Sequence, residues 1–330
     1  MSLKKEMECN EEISGIIAKS LKKRYDRKCD CAVMFTGGND STYLLWLMKN
    51  VYKLNVMAIT IDNGFCYEKM LDYSHEICRR MDVEHHIIRY GTDEFKQMYQ
   101  SMFFEYEIFN EDYGKNNYVC MICSYVLWKI AAKEAERLNI PMIVLGVDLA
   151  QINCLGVING DIDSSSNRIL SRAYSMAYLK TQELLSRSKA YNQNEAYKKF
   201  IDDLCGTGLS VETLFPFLYL NYNVEDIKSI IREKVGWDEK RLFHSDKKYI
   251  SSGCRIVEAI HDISALGIID LNEEAYYGVL KKAGAIGDVY HQREQTNTVF
   301  LENPVLEELG VKEYFEKICI CKNICCQAKK

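Results

Sequence analysis

At 330 residues, with 48% hydrophobic and 27% charged side chains and only three prolines, the chain has globular composition and little room for disorder or long linkers. A formal charge of −5 argues against a broadly basic nucleic-acid surface, and the local patch at 19–28 (KSLKKRYDRK) reads more simply as an exposed helix face. No apolar run reaches membrane-spanning length and no charged-then-apolar N-terminus suggests secretion, so a cytoplasmic protein without membrane association is expected.

Residues 10–27 carry a helical pattern. The run 31–35 (CAVMF) is short, apolar and followed at once by glycine, which reads as a buried strand of a parallel sheet. A Gly37-Gly38 turn then leads into apolar residues on a helical period over 41–50. A strand, a tight turn and a helix N-terminus in that order aim unpaired N–H groups and the positive end of the helix dipole at one place, which makes it a phosphate site. A second strand over 55–61 (NVMAITI) ends in the strong turn Asp62-Asn63-Gly64. Then follow a helix over 68–81, a strand over 85–90, a helical pattern from Asp93, a helix over 124–138 and a strand over 142–147 (MIVLGV). Strands alternating with helices predict an α/β fold with a doubly wound parallel sheet, whose ligands bind beyond the carboxyl ends of the strands. The loops 36–41, 60–64 and 146–151 leave those ends. After about residue 160 the strand signal fades. Helical patterns over 167–240 and 254–284 predict a mostly helical region, 161–330, that covers the ligand edge of a nucleotide domain, 1–160.

The glycine turn fits neither common phosphate motif. A Walker loop needs lysine after its last glycine, where Asn39 and Asp40 stand, and a dinucleotide fingerprint needs a third glycine where Ser41 stands. The order Thr36-Gly37-Gly38-Asn39-Asp40-Ser41-Thr42 instead resembles the SGGxDS loop of the PP-loop ATP pyrophosphatases, departing only at Thr36. The resemblance implies ATP with its triphosphate in this loop, cleaved between the α and β phosphates. Gly37 and Gly38 let the backbone approach, the amides from Gly38 to Ser41 donate, and Thr36 and Ser41 add hydroxyls. Asp40 either holds Mg2+ or orients the loop by capping the helix. Ala58 and Thr60, with Asp62, stand where this family reads adenine through the main chain. The Gly146-led loop corresponds to a second family motif, in which Asp148 reaches the pyrophosphate or its metal, or else caps the next helix. Asp40, Ser41 and Asp148 are the expected catalytic residues.

Fourteen cysteines are many for a reduced compartment, where a disulfide framework is not expected. Cys9, Cys29, Cys31, Cys66, Cys78, Cys154 and Cys205 stand alone and read as small buried residues or surface thiols. Cys120 and Cys123 form a CxxC pair opening a helix, whose dipole is expected to lower their pKa values. Cys254 begins a helical pattern and is either a third ligand or a core residue. This layout resembles that of sulfur-transferring PP-loop enzymes, which implies a [4Fe-4S] cluster on Cys120, Cys123 and Cys254 with one iron open. The rival is zinc, with a fourth ligand such as Cys154 or a histidine. Cys319, Cys321, Cys325 and Cys326 have poor spacing for one site and receive no function. His85 and His86 are expected to serve structure.

The CxxCS segment, residues 215–237 (FPFLYLNYNVEDIKSIIREKVGW) and KYISSGCRI also resemble the N-acetyl sugar amidotransferase branch, which takes ammonia from a partner glutaminase. The chain lacks that branch's cysteine-rich segment ahead of the loop. It also lacks the arginines that follow the CxxC of tRNA-thiolating members, since 124–128 (SYVLW) is nearly neutral, so a small-molecule acceptor is expected over tRNA. The shared chemistry is adenylation of a carbonyl or amide oxygen followed by displacement of AMP. The candidate thiolates favour a sulfur donor, with ammonia as the alternative nucleophile. A nucleotide sensor or an electron-transfer protein is the non-enzymatic alternative, against which the intact loop speaks. A homodimer is compatible with each reading.

Overall fold

The computed structural model describes residues 9–23, 26–89, 92–113, 118–148, 150–151, 167–204, 210–241, 253–269, 273–286 and 299–324. Cys154, Cys205, Cys325 and Cys326 lie outside the described residues. Among them, no helix is long and apolar enough to cross a membrane.

Five strands form one sheet: β1 (Cys31–Met34), β2 (Val56–Asp62), β3 (Glu84–Arg89), β4 (Met142–Val144) and β5 (Glu212–Leu214), in the order β3-β2-β1-β4-β5. Every pairing is parallel, with Cys31 opposite Val56, Ala58 opposite His85, Ala32 opposite Ile143 and Ile143 opposite Thr213. The chain therefore builds outward from β1 to β3 and then returns to lay β4 on the other side of β1. That reversal opens a crevice between the carboxyl ends of β1 and β4, where an open α/β sheet takes its ligand.

Alternation along the strands explains why both faces are covered. Met57, Ile59 and Ile61 belong to one core cluster, with Phe95, Tyr99 and Met102 of α4 (Thr92–Phe104) and Ile122, Val126 and Ile130 of α6 (Tyr118–Arg137). Val56 and Ala58 face the opposite cluster, with Leu44 and Leu45 of α2 (Asn39–Trp46) and Tyr73 and Ile77 of α3 (Glu68–Arg80). Helix α1 (Glu11–Leu21) starts where the Asn10 side chain accepts from Ile13 N at 3.1 Å and two acidic residues occupy the first turn.

β5 corrects the expectation of fading strands beyond residue 160. Its three residues, ETL, are too few to show a period of two between helical neighbours, yet they complete one edge of the sheet. The helix Val224–Val235 follows, capped at its start by Asn223, whose side chain accepts from Glu225 N and Asp226 N, and ended by Gly236 at φ 70°. The chain then turns Trp237 inward, and its indole donates from Nε1 to the carbonyl of Gly37 at 2.9 Å. The later half of the chain thus clasps the glycine turn directly.

Trp237→Phe keeps the apolar bulk and removes that donor. The Gly37 carbonyl retains the Thr42 hydroxyl at 3.3 Å, so the expected loss is about 1 kcal/mol, read as a lower denaturation midpoint with an unchanged slope. An unchanged midpoint would show that the clasp contributes nothing.

Candidate nucleotide site and thiol pocket

Gly37 sits at φ 76°, and a Cβ there would fall 2.4 Å from Ser74 Oγ, so the turn admits glycine alone on grounds of both strain and space. That serine hydroxyl is buried and makes no hydrogen bond among the described residues. Ser41 staples the turn: its Oγ accepts from Thr36 N at 3.2 Å, donates to the Gly38 carbonyl at 3.3 Å and lies 3.2 Å from Thr36 Oγ1. The N-cap of α2 is Gly38, and no side chain caps this helix end. Its first-turn amides, from Asn39 to Ser41, open on the crevice with the positive end of the dipole. The capping alternative for Asp40 therefore does not hold.

Asp40 instead faces Asp148. Its Oδ1 accepts from Asn39 Nδ2 at 2.8 Å and from the Tyr222 hydroxyl at 3.1 Å. Asp148 follows β4. Its Oδ1 caps the next turn by accepting from Gln151 N at 2.7 Å, and its Oδ2 accepts from the Tyr276 hydroxyl at 3.1 Å. Capping and an inward-facing oxygen are thus both realised at Asp148. Gly146 permits the approach, since a Cβ there would lie 3.4 Å from Asp40 Cβ. Burial, and then the charge of Asp148, push the Asp40 carboxyl up to about 7. Burial raises Asp148 as well. Both phenols are raised by burial and by the carboxylates beside them, so they stay hydrogen-bond donors. Tyr222 and Tyr276 arrive from far along the chain, and no local motif marks them.

At the end of β2 the geometry redistributes the expected roles. Ala58 and Thr60 lie inside the ladder, paired opposite Val33 and His85 and opposite Ile87 respectively. The carbonyl of Ile59 accepts from Phe35 N at 2.8 Å. Main-chain groups alternate sides along a strand, so those of Ile61 face the space vacated beyond β1. The open main-chain edge is therefore at Ile61. Thr60 Oγ1 donates to the Phe35 carbonyl at 2.6 Å and lies 2.8 Å from His85 Nε2. Burial lowers His85 to about 4, so that ring is neutral. Asp62 shapes the turn by accepting from Gly64 N at 3.0 Å.

The same turn organises the cysteines. Helix α6 begins at Tyr118, earlier than residue 124, and carries Cys120 and Cys123 in its first turns. Cys254 is the N-cap of the helix Arg255–Ile263. Cys123 Sγ lies 2.9 Å from the Tyr99 hydroxyl and 4.0 Å from Asn63 Nδ2, and Asn63 Oδ1 accepts from the Cys66 thiol at 3.6 Å. The thiols of Cys66 and Cys123 are both close enough to Cys254 to be raised by it. The structure thus places Cys123, Cys254 and Cys66, the last of which had read as solitary, around Asn63, with Cys120 one helical turn before Cys123. Burial, then Cys254, raise the Cys123 thiol, and burial raises Cys254. The lowering expected from the helix dipole is overcome by desolvation. Soft donors from three elements suit iron or zinc, although among the described residues no three His, Cys, Asp or Glu side chains are spaced to ligate one ion as they stand. Cys319 is buried in the core and Cys321 is exposed; neither joins this group.

Residues 30–155 match a family model described as queuosine biosynthesis protein QueC. The chain is similar to the 7-cyano-7-deazaguanine synthase of Clostridium botulinum (strain ATCC 19397 / Type A), 39% identical over 56 residues, which are 17% of this chain and 25% of that protein. The synthase of Clostridium novyi (strain NT) is 37% identical over 59 residues, 18% of this chain and 26% of its own. The match thus spans about a quarter of the length of these curated relatives. Among solved structures, the U34-tRNA thiolase NcsA from Methanococcus maripaludis with its [4Fe-4S] cluster is similar at 14% identity and TM-score 0.37, over 86% of this chain and 85% of that one. The matched segment holds the glycine turn, the Asp62 turn, the CxxC pair and Asp148, the places in which the sequence resembles the PP-loop ATP pyrophosphatases.

Proposed function

We propose that the chain binds Mg-ATP in the 36–42 loop, adenylates a carbonyl or amide oxygen of a small-molecule acceptor, and lets a sulfur nucleophile displace AMP. The observation that carries this reading is the meeting of Cys123 and Cys254 beside Asn63 at the end of β2, one strand away from the phosphate turn, with Cys120 one helical turn before Cys123. The first-turn amides of α2, with the Thr36 and Ser41 hydroxyls, would hold the phosphates. Asp40 and Asp148 would take the magnesium that arrives with ATP, which displaces the proton Asp40 retains to about pH 7. The main chain of Ile61 offers adenine a donor and an acceptor. The acceptor oxygen attacks the α-phosphorus and pyrophosphate leaves; the nucleophile then attacks the activated carbon and AMP leaves. An iron–sulfur cluster, or zinc, on the three cysteines would present the sulfide. Tyr99 and Asn63 fix the Cys123 and Cys66 thiols and keep the pocket free of charge until it is loaded.

A second reading, with ammonia from a partner glutaminase as nucleophile, is supported by the curated relatives, whose name denotes synthesis of a cyano compound. Both readings share the adenylation step. The formal charge of −5 and the nearly neutral 124–128 segment favour a small acceptor over tRNA.

Mg-ATP at about 100 times its Kd is expected to stabilise the chain by about 2.7 kcal/mol, read as a rise in melting temperature. Asp40→Ala and Ser41→Ala should each abolish most of that rise and lower AMP formation at least about 100-fold. A full ligand-induced rise in both variants would contradict the site.

Without nucleotide, the folded chain holds the Asp40 proton up to about pH 7, whereas the unfolded chain releases it near pH 4. The stability linked to that proton is complete below about pH 4 and is lost as pH rises through about 7. Asp40→Asn should flatten the profile over this window and melt about 2–4 °C above wild type at pH 8. Parallel profiles for the two proteins would refute the shared burial of these carboxylates.

Cys123→Ser should lose most of the iron or zinc bound after anaerobic reconstitution while keeping the Mg-ATP melting shift, because the nucleotide turn leaves a different strand. Cys319→Ser should keep both. Full metal retention in Cys123→Ser would remove the thiols from the mechanism and favour ammonia.

A further inference from the structure

Cys66 is not one of the three proposed ligands, yet it stands directly opposite Cys254 in an isolated antiparallel bridge. Tyr67 N donates to the Gly253 carbonyl at 3.0 Å and Arg255 N donates to the Phe65 carbonyl at 2.8 Å. These two bonds flank the pair, so Cys66 and Cys254 are the non-hydrogen-bonded kind of antiparallel neighbours. Such neighbours hold their Cα atoms about 4.5 Å apart with side chains on one face, inside the span of about 4.4–6.8 Å that a disulfide bridges.

Both segments are fixed. Arg255 donates to the Gly64 carbonyl at 3.1 Å and pairs with Glu308 at 2.7 Å. Met70 lies where a Cβ on Gly253 would fall, 1.6 Å from its Sδ, so glycine lets this segment settle against α3 without displacing that side chain. Both residues are partly exposed, although burial raises both thiols. Cys120 and Cys123, by contrast, share one helix and have no backbone bridge between them.

We propose that Cys66 and Cys254 form a reversible disulfide that withdraws Cys254 from the thiol pocket. The oxidant is a low-molecular-weight disulfide. One thiolate attacks it and expels a free thiol; the second cysteine attacks the mixed disulfide and expels another. The net change is two protein thiols and one small disulfide converted to one protein disulfide and two small thiols. Burial raises both thiols, so the exchange is slow near neutrality and quickens as pH rises. The consequence for metal loading rests on the proposed ligand set; the cross-link itself does not.

The test treats the full chain with glutathione disulfide and maps linkages by mass spectrometry without reduction. One peptide pair joining Cys66 to Cys254 is expected, reversed by dithiothreitol and missing in Cys66→Ser, which in its reduced form should take up iron or zinc as wild type does. Oxidised wild-type protein should take up at least about 10-fold less metal until it is reduced. A glutathione adduct without the cross-link, or a Cys120–Cys123 link in its place, would overturn the pairing. A mapped Cys66–Cys254 bond with undiminished metal uptake would overturn its role in loading. If the reduced wild-type chain takes up no metal while the cross-link forms, the proposed ligand set fails and the disulfide stands.

Discussion

Two carboxylates set side by side and desolvated by burial form the constraint on which the site depends. Asp40 and Asp148 meet because the strand order reverses between β1 and β4, and because Gly146 leaves room for the loop after β4 to close on α2. Each acid alone would be tolerable at a strand end. Together they raise the cost of charge, so the fold supplies the Tyr222 and Tyr276 hydroxyls and leaves Asp40 holding its proton to about pH 7. Such a pair is electrostatically incomplete, and a divalent cation is the simplest group that completes it.

The thiol pocket obeys the same rule, and its resting thiols are neutral. A helix N-terminus stabilises an anion by about 2 kcal/mol at most, whereas an unpaired charge taken out of water costs several. Desolvation therefore decides the state of Cys123, although its helix begins only a few residues earlier. Asn63 holds the group in order by facing two ways: its amide donates to the Tyr99 hydroxyl at 2.9 Å while its carbonyl oxygen accepts from Cys66. A metal would reverse this preference for neutral thiols, because thiolate ligation returns more energy than solvent withdraws.

Local chemistry was legible in the sequence wherever it was written in consecutive residues. The Thr36–Thr42 order, the apolar β1 and β2 runs and the Asp62 turn each declare themselves within a few positions, because a strand end, a tight turn and a helix start are set by neighbours. Cys66 was missed for the opposite reason. Nothing near it in sequence is a cysteine, and its meaning comes from Cys254 across a two-residue bridge. It nonetheless follows the Asp-Asn-Gly turn at a ligand edge, and that position was the available signal. Tyr222, Tyr276 and Trp237 carried no signal at all, since an aromatic residue in a helical region reads as core until its hydroxyl or indole is seen to reach the site. β5 was hidden by its length.

The clasp on the glycine turn has a consequence for how the molecule is made. Trp237 reaches back 200 positions to Gly37, Tyr222 reaches 182 positions to Asp40, and Tyr276 reaches 128 positions to Asp148. Contacts at such separations form late, because the closure entropy of the intervening chain must be met before they give any return. During synthesis from the N-terminus, the first four strands can pair while the carboxylates still lack their donors and the turn lacks its clasp. A nascent chain therefore carries its glycine turn for more than a hundred residues before the parts that finish it emerge, and the site is completed only when the last of the helices that supply them leaves the ribosome.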